Sequence, residues 1–142
     1  MLQITYFCED NTTKNPIAPV KDYINTIIAE SEELLKKGKA QQAEKLRRFA
    51  LRLLAIIQHA AEHEGVVHPP LGDKMHGHPF YELRQKQSQT LVRIFYFAYQ
   101  NKKLVLLHAY EKKEGTPALQ SEINTAQRNY NLYISHPHKH EI

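Results

Sequence analysis

The sequence predicts one α+β domain, a small antiparallel sheet with an N-terminal helical hairpin and a C-terminal helix in the order β-α-α-β-β-β-α. Two long stretches with apolar residues at helical spacing come first, and three shorter alternating segments separated by tight polar turns come later. Strands joined by such turns pair antiparallel, and we expect the helices to cover one face of the sheet. A length of 142 residues, 42% of them hydrophobic, suits a single domain with its own core.

The N-terminal half is predicted to hold one strand and two helices. Residues 2–8 alternate in polarity and form the first strand. The first helix covers 19–37, with Pro19 in its first turn and Gly38 after its end, and the second helix covers 40–64. Because their link is short, the two helices form an antiparallel hairpin. Their apolar stripes are Val20, Ile24, Ile27, Ser31 and Leu34 on the first helix and Leu46, Ala50, Leu53, Ile57 and Ala60 on the second.

The C-terminal half is predicted to hold the remaining strands and a last helix. An irregular segment rich in glycine and proline leads into them. The predicted strands are 79–86, 90–98 and 103–110. Thr116 as cap and Pro117 at the first position predict the start of the last helix, whose apolar residues are Leu119, Ile123, Ala126, Tyr130 and Tyr133. We expect residues 1–134 to form the domain and residues 135–142 to form a flexible, histidine-containing tail.

Composition narrows the classes of function. A net charge of +4 leans weakly towards polyanionic partners, although it also suits plain solubility. A single cysteine, Cys8, excludes an internal disulfide and fits a reducing cytoplasm. The first residues do not have the pattern of a signal peptide, and no apolar run is long enough to span a membrane. We therefore expect a cytoplasmic protein.

Two arginines stand among apolar neighbours in consecutive predicted strands. Two-residue turns at 88–89 and 100–101 would place Arg84 opposite Arg93 and Arg93 opposite His108, in one row across the sheet. Like charges in such a row repel, so a neighbouring anion is expected. It is either a carboxylate of the protein, with Glu82, Glu111 or a C-terminal group as candidates, or a bound phosphate, which guanidinium groups bind in bidentate fashion.

The C-terminal half resembles a known family of proteins. The residues that carry the resemblance are Tyr81-Glu82-Leu83-Arg84, Arg93-Ile94-Phe95-Tyr96-Phe97, Leu106-Leu107-His108, Lys112-Lys113, Thr116-Pro117 and, in the last helix, Glu122, Ile123, Ala126 and Arg128. In this order they are similar to the RelE/ParE superfamily of bacterial toxins, and most similar to its phage-derived HigB-like branch. The resemblance is strong over residues 71–133 and rests only on the order of elements over the first 64 residues.

The resemblance implies a toxin of a type II toxin–antitoxin system with a RelE-like fold. Such a toxin is a ribosome-dependent mRNA endonuclease, an mRNA interferase, and a cognate antitoxin, here expected to be a helix-turn-helix protein, inhibits it. The implied reaction is attack of a ribose 2′-hydroxyl on the adjacent phosphate, with no metal or other cofactor. Two alternatives keep the fold, namely a ParE-like toxin that acts on DNA gyrase without nuclease activity and a non-catalytic module that binds RNA or protein.

The resemblance also assigns expected roles. Arg93 would stabilise the transition state, Arg84 would position the phosphate, and Lys113 with Lys112 would supply the basic position after the last predicted strand. His108 and Tyr96 are the nearest candidates for acid–base catalysis. The general acid and base are not identified, because Leu119 occupies a region where some relatives have a tyrosine. Further RNA-binding candidates are Lys74 in the connector and Lys45, Arg48 and Arg52, a basic stripe on the second helix that is otherwise a solvated face.

The remaining motifs carry weaker hypotheses. His59 and His63 fit the pattern H-x-x-E-H of a zinc peptidase, but the ordinary polar end of a helix explains it as well. The other clustered histidines, His76, His78, His136, His138 and His140, are interpreted as incidental. The aromatic residues Phe95, Tyr96, Phe97 and Tyr99 are interpreted as core rather than as a platform for stacking bases.

Overall fold

A computed structural model describes residues 1–142 and contains five strands, three α-helices and one short 3-10 turn. In chain order they are β1 (Gln3–Tyr6), α1 (Pro19–Lys36), α2 (Ala40–Glu62), β2 (Gly72–Lys74), β3 (Tyr81–Gln87), β4 (Thr90–Tyr99), β5 (Lys103–Lys113) and α3 (Gln120–Ser135), followed by the 3-10 turn at Pro137–Lys139. The α+β class and the order of the predicted elements are confirmed. The prediction omits β2, because three residues are too few to show an alternating pattern.

The sheet is mixed rather than antiparallel. Its strand order is β1-β5-β4-β3-β2, and β1 runs parallel to β5, with Gln3 paired to Lys103. The other neighbouring strands are antiparallel. Turn signals in a sequence specify pairing only between consecutive strands, whereas β1 and β5 lie near opposite ends of the chain. Their parallel pairing therefore has no local signal.

Helices cover both faces of the sheet, which corrects the prediction that they cover one. The α1–α2 hairpin packs on one face, where the strands contribute Leu83, Val92, Ile94, Tyr96, Leu104 and Leu106. Helix α3 packs on the other face, against Phe95, Phe97, Val105, Leu107 and Tyr110. Because both faces are covered, β4 is buried without interruption from Val92 to Phe97. The interpretation of Phe95, Tyr96 and Phe97 as core is confirmed.

The register across the strands is partly as predicted. Arg84 lies opposite Arg93, joined by the predicted two-residue turn at Ser88-Gln89. Arg93, however, lies opposite Tyr110 and not His108. The second turn has three residues, because Tyr99 pairs with Lys103, and a bulge between the 95 and 96 positions of β4 leaves Leu107 of β5 unpaired. The turn and the bulge each shift the register by one residue.

Helix α3 begins later than predicted. Its first residue is Gln120, and Thr116 does not cap it. The hydroxyl of Thr116 instead donates a hydrogen bond to the carbonyl of Lys113, at 2.7 Å, and closes the turn after β5. The carbonyl of Thr116 accepts a hydrogen bond from the guanidinium of Arg93. The segment 114–119 is therefore a loop that returns across the end of the sheet.

The residues after α3 pack against β1, which differs from the expected flexible tail. Backbone hydrogen bonds of 3.0 Å join Tyr6 and Ile142 in both directions, and the Glu141 carboxylate accepts two hydrogen bonds of 2.9 Å from the Lys103 ammonium. His140 is 5% exposed. This segment supplies partners for backbone groups at the edge of β1, which would otherwise lack them within the protein.

Candidate active site

A cleft of about 550 Å³ opens at the end of the sheet where α3 does not reach. Strands β2, β3 and β4 form its floor, and the loop before α3 forms one wall. Its lining residues are Asp73, Lys74, Met75, His76, Glu82, Arg84, Leu91, Arg93, Gly115, Thr116, Pro117 and Ala118. Both arginines singled out in the sequence therefore reach one concave site.

Arg93 is a buried cation without a counter-ion. The residue is 7% exposed, and no carboxylate lies within ion-pair distance of its guanidinium. Its Nη1 donates to the Tyr110 hydroxyl at 3.4 Å, its Nη2 donates to the Thr116 carbonyl, and its Nε is buried with no hydrogen-bond partner. A buried charge normally requires a partner, so an anion in the cleft would satisfy this guanidinium.

Arg84, by contrast, is neutralised by the protein. Its Nε donates to the Glu82 carboxylate at 2.6 Å, and the Glu82 side chain is only 4% exposed. Of the two alternatives for the neighbouring anion, a carboxylate of the protein is therefore the partner of Arg84, and no carboxylate of the protein pairs with Arg93. Over the whole lining, three cations face two carboxylates, Asp73 and Glu82, which leaves a net charge of +1 without His76.

His108 lies on the same face of the sheet as Arg93 but does not line the cleft. The bulge in β5 turns both Leu107 and His108 towards α3. The His108 Nε2 is hydrogen-bonded to the Glu122 carboxylate of α3, and its Nδ1 is buried with no partner. His108 is therefore held by α3, and its ring stacks on Tyr110 with centroids 6.2 Å apart.

Tyr96 does not belong to the cleft, which removes it from the acid–base candidates. It lies on the opposite face of the sheet, fully buried beneath the α1–α2 hairpin. Its hydroxyl donates to the Gly65 carbonyl at 2.8 Å. Burial raises the pKa of Tyr96, so the phenol stays protonated. The side chain is part of the hydrophobic core.

The predicted basic residues after β5 do not line the cleft either. Lys112 lies beside it, where its ammonium donates to the Pro117 carbonyl at 3.4 Å and so supports the loop. Lys113 is exposed and paired with Thr90, with its side chain on the alternate face of the strand. Of the predicted lysines, only Lys74 reaches the rim of the cleft.

The basic stripe of α2 is also separate from the cleft. Helix α2 packs on the sheet face opposite α3. Arg48 forms an ion pair of 3.1 Å with Glu44 of the same helix, and the Arg52 guanidinium lies 5.9 Å from the centroid of the Phe49 ring. Lys45 is exposed. This geometry is that of a solvated helix face.

The sequence did not indicate that three residues of the cleft, Asp73, His76 and Glu82, belong to the site. Glu82 was expected only as a counter-ion, His76 as incidental, and Asp73 was not considered. All three depend on β2, whose pairing with β3 brings the connector alongside Arg84. The segment D-K-M-H at residues 73–76 contains Asp73 and His76, but nothing in its local sequence indicates that β2 pairs with β3.

The other histidines lie apart from any metal-binding arrangement. The rings of His59 and His63 stack with centroids 4.0 Å apart at the exposed end of α2. No group of three or more His, Cys, Asp or Glu side chains is placed to hold a metal ion. His78 accepts or donates a hydrogen bond of 2.8 Å with Gln127 and stacks on Phe80.

Comparison with known families shows the family to which the chain belongs. The model of the family described as phage derived protein Gp49-like (DUF891) matches residues 39–131, which include α2, all strands from β2 to β5 and most of α3. The chain belongs to this family. Gp49-like proteins are associated with RelE-type, toxin-like proteins, so the coarser part of the predicted resemblance is confirmed. A search of curated proteins finds no match.

The Gp49-like match covers every residue that lines the cleft. It leaves out β1 and α1 but includes α2, although the sequence resemblance rested on element order alone over all of the first 64 residues. None of the three α-helices is both long enough and apolar enough to cross a membrane.

Proposed function

We propose that this phage-derived, toxin-like protein is a metal-independent endoribonuclease that cleaves mRNA on the ribosome, as the toxin of a type II toxin–antitoxin system. The observation that carries the proposal is Arg93, a residue that is 7% exposed, lines the cleft and has no counter-ion in the protein. A preorganised cation in a site that excludes water stabilises developing negative charge far better than one in solvent.

The proposed chemistry is in-line attack of a ribose 2′-hydroxyl on the neighbouring phosphorus, giving a 2′,3′-cyclic phosphate and a free 5′-hydroxyl. Negative charge accumulates on the non-bridging oxygens as the bond forms. Arg93 faces those oxygens and stabilises the charge, while Arg84, held by Glu82, positions the phosphate. Lys74 at the rim contacts the next phosphate of the strand.

The net charge of the cleft supports a phosphodiester as the substrate group. Lys74, Arg84 and Arg93 outnumber the carboxylates of Asp73 and Glu82, so the cleft is positive even without His76, and an internal RNA linkage is negative. A neutral carbonyl or sugar would leave the Arg93 charge uncompensated. The ribosome, the helix-turn-helix antitoxin and the cytoplasmic location of the reaction belong to the proposal through the resemblance to RelE-type toxins.

The first test is induced expression in a bacterium, with growth followed and mRNA 5′ ends mapped. We expect wild type to arrest growth and to produce new cuts within translated messages, and Arg93→Ala to abolish both. Removing one donor to a transition-state oxyanion costs about 100- to 1000-fold in rate, enough to relieve toxicity. Arg47→Ala, an exposed arginine on α2 outside the cleft, is the matched control and should remain toxic.

Arg93→Lys keeps the charge and separates loss of chemistry from loss of folding. It should fold but cut far more slowly, because an ammonium cannot reproduce the fork geometry. Growth arrest without cuts would replace the nuclease with a gyrase-type activity. Soluble, folded wild type that is neither toxic nor able to cut RNA would leave only a binding module.

A further inference from the structure

We propose that His76 is the general acid of this cleft and that Glu82 is the general base, which together complete the proposed nuclease reaction. The inference rests on the proposed function, since it names the proton donor and acceptor of that reaction. The two residues lie on the connector after β2 and on β3, and both line the cleft with Arg84 and Arg93.

The backbone around His76 is fixed although its side chain is exposed. The Met75 N–H donates to the Phe80 carbonyl and the His78 N–H donates to the Met75 carbonyl, each at 3.1 Å, which closes a compact turn around residue 76. The His76 side chain makes no hydrogen bond or ion pair with the protein. It is an imidazole held at the rim of an anion site with both ring nitrogens available.

Glu82 has one carboxylate oxygen to spare. Its Oε1 accepts from the Arg84 Nε at 2.6 Å, and its other oxygen accepts no hydrogen bond. The Glu82 side chain is only 4% exposed, but this second oxygen is not among the fully buried polar atoms that lack a partner. It therefore keeps some accessible surface. The pairing with Arg84 orients the carboxylate, and the spare oxygen is the acceptor that a 2′-hydroxyl needs.

The other candidates for proton transfer are occupied or outside the cleft. His108 is hydrogen-bonded to Glu122 and does not line it. Tyr110 does not line the cleft and is 8% exposed, and its hydroxyl accepts hydrogen bonds from the Arg93 Nη1 at 3.4 Å and the Leu119 N–H at 3.3 Å. His78, the other histidine of the same turn, faces α3 through its hydrogen bond to Gln127. His76 is the histidine of the cleft.

The proton balance of the step is complete with these two groups. The 2′-oxygen bonds to phosphorus and its proton passes to the free oxygen of Glu82. The bond from phosphorus to the 5′-oxygen breaks, and the leaving oxygen takes a proton from the imidazolium of His76. The products are a 2′,3′-cyclic phosphate and a 5′-hydroxyl, with Glu82 protonated and His76 neutral. Exchange with solvent restores both groups.

The charges that face His76 come from three strands. Asp73 and Lys74 lie on β2, Glu82 and Arg84 on β3, and Arg93 on β4. The loop before α3 contributes no charged residue to the lining, and its Glu114 pairs with Lys86 at 3.0 Å outside the cleft. The imidazole therefore faces both carboxylates and cations.

The experiment measures single-turnover cleavage of a short mRNA on 70S ribosomes, at a site mapped in the cell. Wild type, His76→Ala and the control His68→Ala are compared on two substrates. One is the natural RNA, and the other carries sulfur in place of the 5′-bridging oxygen at the cut site. A thiolate leaves without protonation far more readily than an alkoxide, so the second substrate needs no general acid. His68 is an exposed histidine of the segment between α2 and β2, and it does not line the cleft.

We expect His76→Ala to be slower by at least about 100-fold on the oxygen substrate, within the range for loss of general acid catalysis. On the sulfur substrate it should be within a few-fold of wild type. His68→Ala should match wild type on both substrates. Thermal unfolding of each variant verifies that the exposed positions leave the fold intact.

The remaining outcomes overturn the proposal in distinguishable ways. An equal loss on both substrates would make His76 a residue that places the RNA rather than an acid. An unchanged rate would remove His76 from the reaction and leave the nuclease itself standing. If wild type cuts neither substrate, the proposed function fails, and the assignment of His76 fails with it.

Discussion

Arg84 and Arg93 look equivalent in the sequence but differ in burial and in their ion pairs. Arg84 and Arg93 lie directly opposite each other on neighbouring strands. Arg84 is held by a buried carboxylate two residues away on its own strand, whereas Arg93 meets only a hydroxyl and a carbonyl. Their mutual repulsion is relieved on one side only. In the cleft, Arg84 is therefore held by its ion pair with Glu82, and Arg93 is free to bind an anion.

Glu82→Gln is predicted to tighten RNA binding while slowing cleavage. The amide keeps the shape of the side chain and an oxygen for Arg84, but the net charge of the cleft becomes more positive by one unit. An RNA with 2′-O-methyl groups, which cannot be cut, should bind more tightly at low salt. Its log–log salt dependence should steepen by about 0.7, the value for one more phosphate contact in a single strand.

Glu44→Gln is the matched control for that measurement. Glu44 also pairs with arginine, but on the exposed face of α2 and not in the cleft. If both variants change RNA binding equally, the effect reports the overall charge of the protein and not the ion pair of the cleft.

At the scale of elements, the three-residue strand β2 decides the composition of the cleft. It pairs with β3 at Gly72 opposite Leu83 and Asp73 opposite Glu82. A Cβ at Gly72 would lie 2.8 Å from the Val67 Cγ2 and still closer to the Glu82 carbonyl oxygen. The close approach of β2 to β3, and with it the position of the connector, therefore requires glycine at this site.

Gly72→Ala is accordingly predicted to destabilise the fold and displace β2. Overpacking a buried site costs about 1–3 kcal/mol, and here part of the clash is with backbone, which cannot rotate away. Thermal unfolding should show a lower midpoint than wild type. Gly77→Asn is the control, because nothing lies near the Cβ position of Gly77, and asparagine tolerates its positive φ of 80°. An unchanged midpoint for Gly72→Ala would mean that β2 can move away from β3 without lowering the stability of the fold.

The elements also show which features the sequence could predict. Long periodic segments such as α1 and α2 were placed within one or two residues, because a repeated apolar stripe needs no tertiary information. The row across the sheet was correct at Arg84 opposite Arg93, where the turn has two residues. It was wrong at His108, because a three-residue turn and a bulge leave no distinct signal in composition.

The candidate site was predicted less well than the fold, for a related reason. Its arginines are on regular strands, and alternation alone indicates that they share a face. Tyr96 was predicted wrongly because the same alternation places it on the opposite face, beneath the α1–α2 hairpin. His76 could not be assigned, since its place in the cleft depends on the pairing of β2.

At the scale of the whole molecule, contacts between distant parts of the chain hold α3 against the sheet. Arg128 of α3 donates to both carboxylate oxygens of Glu9, at 2.9 and 3.0 Å, and Asn129 donates to the Leu107 carbonyl at 2.9 Å. The end of α3 is joined to the C-terminal segment by Tyr133 and Glu141. These contacts fix the helix, and the start of the helix in turn anchors the loop that forms one wall of the cleft.

Glu141 is the centre of the C-terminal contact. It accepts hydrogen bonds of 2.9 Å from Lys103 and of 2.6 Å from the Tyr133 hydroxyl. Burial alone would raise the pKa of Glu141, but the hydrogen bonds from Tyr133 and Lys103 outweigh it and leave the pKa below its ordinary value. Folding therefore favours the ionised form of the Glu141 carboxylate, and protonation of Glu141 destabilises the folded protein.

Glu141→Gln is predicted to lower the free energy of unfolding at neutral pH by about 1–3 kcal/mol, the usual range for hydrogen bonds to a charged group. Because the folded pKa is depressed, the contribution of Glu141 is complete above its ordinary value of 4.5 and is lost as the pH falls through the lower folded value. Urea unfolding at pH 7, 5 and 3 should show a constant difference between wild type and variant at the two higher values and a smaller one at pH 3. Glu44→Gln, which removes the two exposed ion pairs of Glu44 with Arg47 and Arg48, should cost less than about 1 kcal/mol at every pH. A difference for Glu141→Gln that does not change between pH 7 and pH 3 would show that the carboxylate charge contributes nothing to holding the C-terminal segment, and that backbone pairing with β1 alone secures it.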